Sequence, residues 1–164
     1  MSMTLKTRHW LGVACGIVAI DQVTKYLALQ WLSYGDPVAI VPGLNFTLVF
    51  NTGAAFSLLS DASGWQRWLF AAVALTVSIV ITLWLRQIGS KEWWLPIALS
   101  LILGGAIGNF WDRVSLGYVV DFIQVYYQRW SWPAFNVADS AICVGAVMLL
   151  LNGWIKRPEA TADV

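Results

Sequence analysis

Two aspartates in the second half of the chain have the residue type and the surroundings that general acid–base chemistry requires. Asp121 lies in "YVVDFI", where apolar neighbours favour the neutral carboxyl. Asp139 lies in "FNVADS", three residues after Asn136. That is the spacing of an N-cap residue and an acidic N3 residue at a helix start, where the helix dipole favours the carboxylate. If the two acids meet, they can share one proton, activate a water against an amide and protonate the leaving nitrogen. Their separation along the chain does not by itself require that they meet.

A second polar group ends a stripe of small residues in "SLILGGAIGNFWDR". Asn109, Asp112 and Arg113 stand at i, i+3 and i+4, so they share one helix face. Two interpretations stay open: an ion pair that orders the helix end, or a site in which Arg113 or Asn109 binds the backbone carbonyls of a substrate. The stripe itself recurs every four residues and permits close contact with a neighbouring helix. It consists of Ser100, Gly104, Gly108 and Asp112.

A third pair, Asp21 and Lys25, is spaced i, i+4 with the acid first, the favourable order for an ion pair on one helix face. The pair is interpreted as a self-neutralising structural contact. In a membrane helix it also marks the face that turns away from lipid.

The composition indicates which elements must position these side chains. The chain has 164 residues, of which 59% are hydrophobic and 12% charged, and its mean hydropathy is +0.66. These values indicate a membrane protein. The formal net charge of +1, with no long run of one sign, argues against nucleic acid as a partner. His9 is the only histidine and no His/Cys cluster has metal-ligand spacing, so no metal, haem or other cofactor is predicted.

Four apolar stretches are long enough to cross the hydrocarbon core, which takes roughly 20 helical residues. They cover residues 10–31, 66–85, 93–111 and 137–154. All eleven tryptophans fall at or near a proposed helix end, as expected for residues that prefer the membrane interface. The predicted fold is an all-α polytopic membrane protein with one domain over residues 1–164, and the tail 157–164 is predicted to be disordered.

The basic residues outside the spans predict the orientation. They fall before the first span, between the second and third, and after the fourth, so the positive-inside rule places both termini and the loop 86–92 in the cytoplasm. These residues are Lys6, Arg8, Arg86, Lys91, Lys156 and Arg157. The opposite side then carries two longer segments, 32–65 and 112–136. Within the first of them, residues 36–58 mix Pro and Gly with β-branched and aromatic residues, which predicts short strands and turns.

Five motifs in this order resemble the lipoprotein signal peptidases (signal peptidase II), a family of bacterial inner-membrane aspartyl peptidases. The motifs are "DQVTK", "NTGAAFS", "GNFWDR", "VVDF" and "FNVADS". The resemblance implies four transmembrane helices, with a small β-rich cradle and a short helix on the periplasmic side. It also implies a substrate, a prolipoprotein whose cysteine carries diacylglycerol and is cut on its amino side. The other implied partners are membrane lipid and the cyclic peptide inhibitor globomycin, and the chain is expected to be a monomer.

The resemblance also implies roles for single residues. Asp121 and Asp139 match the catalytic dyad, and the active site is expected near the periplasmic face. The positions matched to substrate or inhibitor binding are Asn51, Gly53, Asn109, Arg113 and Asn136. The positions matched to a supporting role are Asp21, Lys25, Asp112 and Ala138.

Three other functions remain as alternatives. A Ser–Lys peptidase would use Ser57 or Ser140 as nucleophile and a deprotonated Lys25 as base. A proton or ion conductor would use the intramembrane acids as its pathway, although the ionisable groups fall in the outer half of the predicted spans. A small assembly factor would use none of them chemically.

Overall fold

The computed structural model describes residues 5–53, 64–88 and 93–155, and these residues form four helices and four strands. The elements are α1 (Leu5–Trp31), β1 (Val38–Val41), β2 (Leu44–Asn51), α2 (Trp65–Leu85), α3 (Trp94–Ser115), β3 (Val119–Tyr127), β4 (Trp130–Ser131) and α4 (Val137–Ile155). The strands follow the end of α1 and the end of α3, and they precede the starts of α2 and α4. We call this end of the helices the sheet end.

Helix α3 lies at the centre of the bundle, in contact with α1, α2 and α4. Its glycines explain how the neighbours approach so closely. A Cβ on Gly104 would lie 2.7 Å from the Cβ of Ile17 on α1, and one on Gly105 would overlap the carbonyl oxygen of Ala138 on α4. The predicted small-residue stripe is therefore a helix-packing surface, as expected where lipid gives helices no hydrophobic reason to associate.

The strands form one antiparallel sheet in the order β1-β2-β3-β4. It packs on the sheet end of α1 through a cluster formed by Ala28, Leu48, Val120 and Phe122. Beyond β4 the chain returns along β3, because Ile123 and Phe135 exchange backbone hydrogen bonds of 2.8 and 2.9 Å. This return brings the first residues of α4 beside the first residues of β3.

The sheet corrects the all-α assignment. The strands predicted within residues 36–58 are confirmed as β1 and β2, and the small β unit that the resemblance implies is present. However, the segment 112–136, for which no strand was predicted, supplies β3 and β4. Strand β3 is nine residues long and pairs with β2 over most of its length. The short helix implied for the periplasmic side is not among the elements formed by the described residues, and the tail predicted to be disordered, 157–164, lies outside them.

Among the described residues, three helices are long and apolar enough to cross a membrane: Thr7–Trp31, Trp65–Leu85 and Trp94–Ser115. They coincide with the first three predicted spans, and α3 continues four residues beyond the predicted end at 111. The described apolar part of α4, Val137–Asn152, is shorter. The fourth span therefore stays a prediction.

Candidate active site

Asp121 is the third residue of β3 and lies opposite Val49 of β2. Both faces of β3 are covered at this point, since Val120 and Phe122 are buried on one face and Asp121 on the other. Only 1% of Asp121 is exposed. A buried carboxyl needs hydrogen-bond donors, because burying a polar group without a hydrogen-bond partner costs roughly 2–7 kcal/mol.

Asn136 connects the two predicted catalytic acids. Its Nδ2 donates to Oδ1 of Asp121 at 2.7 Å, and its Oδ1 accepts the backbone N–H of Asp139 at 2.8 Å. The backbone N–H of Asn136 in turn donates to Oδ2 of Asp139 at 3.3 Å. This reciprocal pair is a capping box at the start of α4, which confirms the predicted N-cap and N3 positions. The two acids, far apart in sequence, thus contact the same amide side chain.

Asn51 donates to the other oxygen of Asp121. Its Nδ2 lies 3.0 Å from Oδ2 of Asp121, while its Oδ1 accepts the backbone N–H of Gly53 at 3.0 Å. Because Gly53 N–H can only donate, it fixes which end of the Asn51 amide faces the acid. Both oxygens of Asp121 therefore accept amide hydrogens.

Burial nevertheless raises the pKa of Asp121 from 3.8 to about 7, and the neighbouring charge of Asp139 acts in the same direction. The hydrogen bonds from Asn51 and Asn136 and the more distant charge of Lys25 oppose the rise in pKa. Near neutral pH this carboxyl can hold or release a proton, which is the property expected of a general acid.

Asn109 on α3 holds Asp139. Its Nδ2 donates to Oδ1 of Asp139 at 2.7 Å, and its Oδ1 accepts Nζ of Lys25 at 3.0 Å and Nδ2 of Asn136 at 3.2 Å. A lysine ammonium can only donate hydrogen bonds, so the amide oxygen of Asn109 must face Lys25 and its amide nitrogen must face Asp139.

Lys25 is itself buried, with 2% of its side chain exposed. It forms ion pairs with Asp21 at 2.8 Å and with Asp112 at 2.9 Å. The predicted pair on α1 is therefore a buried triad that joins α1 to α3. Asp21 also accepts the backbone N–H of Ala138, and Asp112 that of Val120. Ala138 directly precedes Asp139 and Val120 directly precedes Asp121, so the triad fixes the backbone next to each candidate acid.

Arg113 does not join this triad. Its Nη1 donates to the carbonyl of Asn109 at 3.2 Å and its Nη2 to that of Gly53 at 3.1 Å, and its guanidinium lies over the ring of Phe70. Within the described part of the chain, Asp112 pairs with Lys25 and not with Arg113. The interpretation of Asp112 and Arg113 as an ion pair is therefore wrong, and the interpretation that Arg113 binds backbone carbonyls fits its present contacts.

Gln22 is a member of the network that the sequence reasoning missed. Its Nε2 donates to Oδ1 of Asp112 at 2.9 Å and to Oδ2 of Asp21 at 3.2 Å. It stands inside "DQVTK", next to one of the acids it binds. The signal available in the sequence was a polar side chain in a membrane helix between the charged residues Asp21 and Lys25.

The described residues offer little for the other chemistries considered. No three His, Cys, Asp or Glu side chains among them are grouped so that they could hold a metal ion. Ser140 donates its hydroxyl to the carbonyl of Asn136 at 2.9 Å, and Lys25, the base in the Ser–Lys alternative, is held between two acids. Ser57 lies outside the described residues.

The family model for Signal peptidase (SPase) II matches residues 13–155, which contain the whole of this site. The chain belongs to the signal peptidase II family. A lipoprotein signal peptidase of Pseudomonas syringae pv. tomato is 55% identical over 145 residues, covering 87% of this chain and 84% of the relative. One of Acinetobacter baumannii is 54% identical over 153 residues, covering 92% and 87%.

Two solved structures of bacterial membrane enzymes share the fold of this family member. One, determined in meso at 2.3 Å, superposes with a TM-score of 0.81 at 31% identity and covers 97% of each chain. The other, at 1.9 Å, gives a TM-score of 0.79 at 30% identity and covers 96% of this chain and 99% of its own. The arrangement of helices and sheet is thus that of a membrane enzyme.

Proposed function

We propose that this chain is an aspartic endopeptidase that removes the signal peptide from diacylglyceryl-modified prolipoproteins, cutting on the amino side of the lipidated cysteine. The observation that carries the proposal is the contact of Asp121 and Asp139 with one amide side chain, Asn136. Relatives more than half identical to this chain are named lipoprotein signal peptidases, which supports the substrate class.

In the proposed mechanism Asp139 is the base and Asp121 the acid. Asp139 takes a proton from a water molecule, whose oxygen bonds to the scissile carbonyl carbon. Asp121 gives its proton to the amide nitrogen, and the carbon–nitrogen bond breaks to leave a carboxyl group and an amine. The dyad still holds one proton at the end, now on the other acid. The raised pKa of Asp121 near neutrality supports its assignment as the proton donor.

Arg113, Asn51 and Gly53 form the proposed binding site for the substrate backbone. The guanidinium already binds the carbonyl of Gly53, so its donors have the geometry that a peptide carbonyl needs. Asn109 and Asn136 complete this wall of the site through their amides. A cyclic peptide such as globomycin offers the same carbonyl groups and is proposed to bind here.

The proposed location is the bacterial inner membrane, with both termini cytoplasmic and the sheet end at the periplasmic face. The positive-inside distribution of Lys and Arg supports this orientation. A site at the sheet end would let the diacylglyceryl chains remain among the helices while the peptide and water reach the acids. The ion-pathway alternative is less favoured, because the buried charged residues among the described ones, Asp21, Lys25, Asp112 and Asp121, gather in the half of the bundle at this end.

The test is cleavage of a purified diacylglyceryl prolipoprotein by the purified chain, compared with Asp121→Asn and Asp139→Asn. Each substitution preserves size and removes the titrating group, so we expect cleavage to fall by at least about 10³-fold, as for other essential acid–base groups. Asp36→Asn, which changes an exposed acid on the same side of the protein, is the matched control and should cleave normally. Loss of activity in Ser140→Ala with retained activity in Asp121→Asn would refute the dyad.

A further inference from the structure

The turn between β3 and β4, with its flanking residues 126–132, takes no part in the candidate site. Tyr126 pairs with Ser131 and Tyr127 with Trp130, which leaves Gln128 and Arg129 as a two-residue turn. Gln128 adopts a φ of 54°, a left-handed conformation that residues other than glycine rarely adopt. We call residues 126–132 the aromatic hairpin.

The hairpin exposes large aromatic side chains. The exposed fraction is 75% for Tyr127, 64% for Trp130 and 43% for Trp132. The rings of Trp130 and Trp132 lie 5.7 Å apart at 71°. A groove of about 350 Å³ runs beside them and is lined by Val125, Tyr126, Tyr127, Trp130, Trp132 and Phe135. Contiguous exposed aromatic surface of this kind marks a contact with a partner or a membrane.

The charge distribution favours a membrane as that partner. In the described residues 32–53 and 116–136, which hold the whole sheet, the charged side chains are Asp36, Asp121 and Arg129. Asp121 is buried, and β1 exposes Val38, Ile40 and Val41. A unit surrounded by water usually carries many more charges. Arg129 at the hairpin turn adds a cation beside the aromatic rings, which matches the phosphates of phospholipid headgroups.

The hairpin also continues a belt of tryptophans at the helix ends. On the sheet-end half of the helices Trp31, Trp65, Trp68 and Trp111 expose between half and four fifths of their surface. Tryptophan and tyrosine concentrate at the level of lipid headgroups, where one part of the ring system is apolar and the other is wet. The exposed rings of Tyr127, Trp130 and Trp132 extend this belt from the helices onto the sheet.

We infer that the aromatic hairpin docks on the phospholipid surface, with the rings of Tyr127, Trp130 and Trp132 at the boundary between headgroups and acyl chains and with Arg129 at the phosphates. One strand, β3, then carries the anchor at its far end and Asp121 near its start. Docking would fix the height of the sheet above the bilayer. The inference does not depend on the proposed reaction.

The experiment measures the depth of the hairpin in a bilayer. The full chain with Cys15→Ser and Cys143→Ser receives one nitroxide label at Trp130→Cys, and a second variant carries it at Asp36→Cys, an exposed charged position on the same side. Both are placed in nanodiscs of phosphatidylethanolamine and phosphatidylglycerol. Power saturation compares the collisions of each label with oxygen, which dissolves in lipid, and with a water-soluble nickel chelate. Thermal unfolding of both variants checks that the fold is kept.

We expect the ratio of oxygen to nickel accessibility to be several-fold higher at position 130 than at position 36. A third label at Tyr127→Cys should give the same result as position 130, which guards against a local effect of losing one tryptophan. Equal, water-like ratios at positions 127, 130 and 36 would overturn the inference. It would also be overturned if positions 127 and 130 became shielded only after a lipopeptide was added, because the hairpin would then be a substrate contact.

Discussion

The carboxyl of Asp121 couples its protonation to folding. Its pKa is raised from 3.8 to about 7, chiefly by burial, so the folded protein holds this proton more tightly than the unfolded chain does. The resulting stabilisation is fully present below pH of about 4 and is lost as the pH rises to about 7. Replacing Asp121 by Asn should remove this part of the pH dependence. Thermal unfolding in detergent between about pH 4 and pH 8 measures it.

The matched control for this measurement is Asp36→Asn, because Asp36 is exposed on the same side of the protein. It should keep the pH dependence of the parent chain. Indistinguishable pH profiles for the parent and Asp121→Asn would contradict the assignment of the titrating group.

Lys25 is the only cation within ion-pair distance of Asp21 and Asp112 among the described residues. Lys25→Met keeps the volume but leaves two buried carboxylates without a counter-charge. We expect it to lower the free energy of unfolding by about 3–5 kcal/mol, the usual result of breaking a buried pair. Adding Asp21→Asn and Asp112→Asn should restore part of that loss. Denaturant unfolding of the single and triple variants measures this. A triple variant with a lower free energy of unfolding than Lys25→Met would count against the triad.

Helix α3 depends at single positions on the absence of a side chain. A Cβ at Gly105 would overlap the backbone of Ala138 on α4, the helix that carries Asp139. Gly105→Ala should therefore force α4 away, destabilise the protein by about 1–3 kcal/mol and reduce cleavage. Gly12→Ala on α1 is the control, because a Cβ there meets nothing within 4 Å. Equal stability and activity of the two variants would show that α4 can shift freely.

At the level of elements, hydropathy predicted the helices well because a bilayer demands long apolar segments. The mixture of Pro and Gly with β-branched and aromatic residues predicted β1 and β2. Strand β3 was not predicted from the sequence, because the apolar neighbours of Asp121 were interpreted only as the surroundings of its carboxyl group. The pairing of β3 with β2 spans about seventy residues of sequence, for example between Val49 and Asp121, and no local pattern records such a pairing.

The same limit applied to the site. The spacing of Asn136 and Asp139 was enough to predict the capping box, since both residues belong to one helix start. The partner of Asp112 was not predictable in this way. Sequence proximity suggested Arg113, whereas packing of α1 against α3 supplies Lys25. Contacts within an element were therefore readable from sequence, and contacts between elements required the fold.

For the molecule as a whole, the sheet and the helix bundle meet at the site. The return of the chain from β4 along β3 places Asn136 beside Asp121, and the triad of Lys25 ties α1 and α3 together behind the two acids. Arg113 makes a further link, since it joins the carbonyl of Gly53, just after β2, to that of Asn109 on α3. The position of the sheet on the bundle thus depends on side chains that also form the candidate site.

Arg113→Gln tests this link. It keeps some donors but removes the charge and the two-sided reach of the guanidinium, so we expect lipopeptide binding to weaken by about 10- to 100-fold, equivalent to about 1.5–3 kcal/mol for hydrogen bonds to a charged group. The chemical step should change much less, because Arg113 contacts backbone carbonyls and no described hydrogen bond joins it to Asp121 or Asp139. Single-turnover cleavage of pre-bound lipopeptide separates the two effects. Unchanged binding with a collapsed single-turnover rate would instead place Arg113 in the chemistry itself.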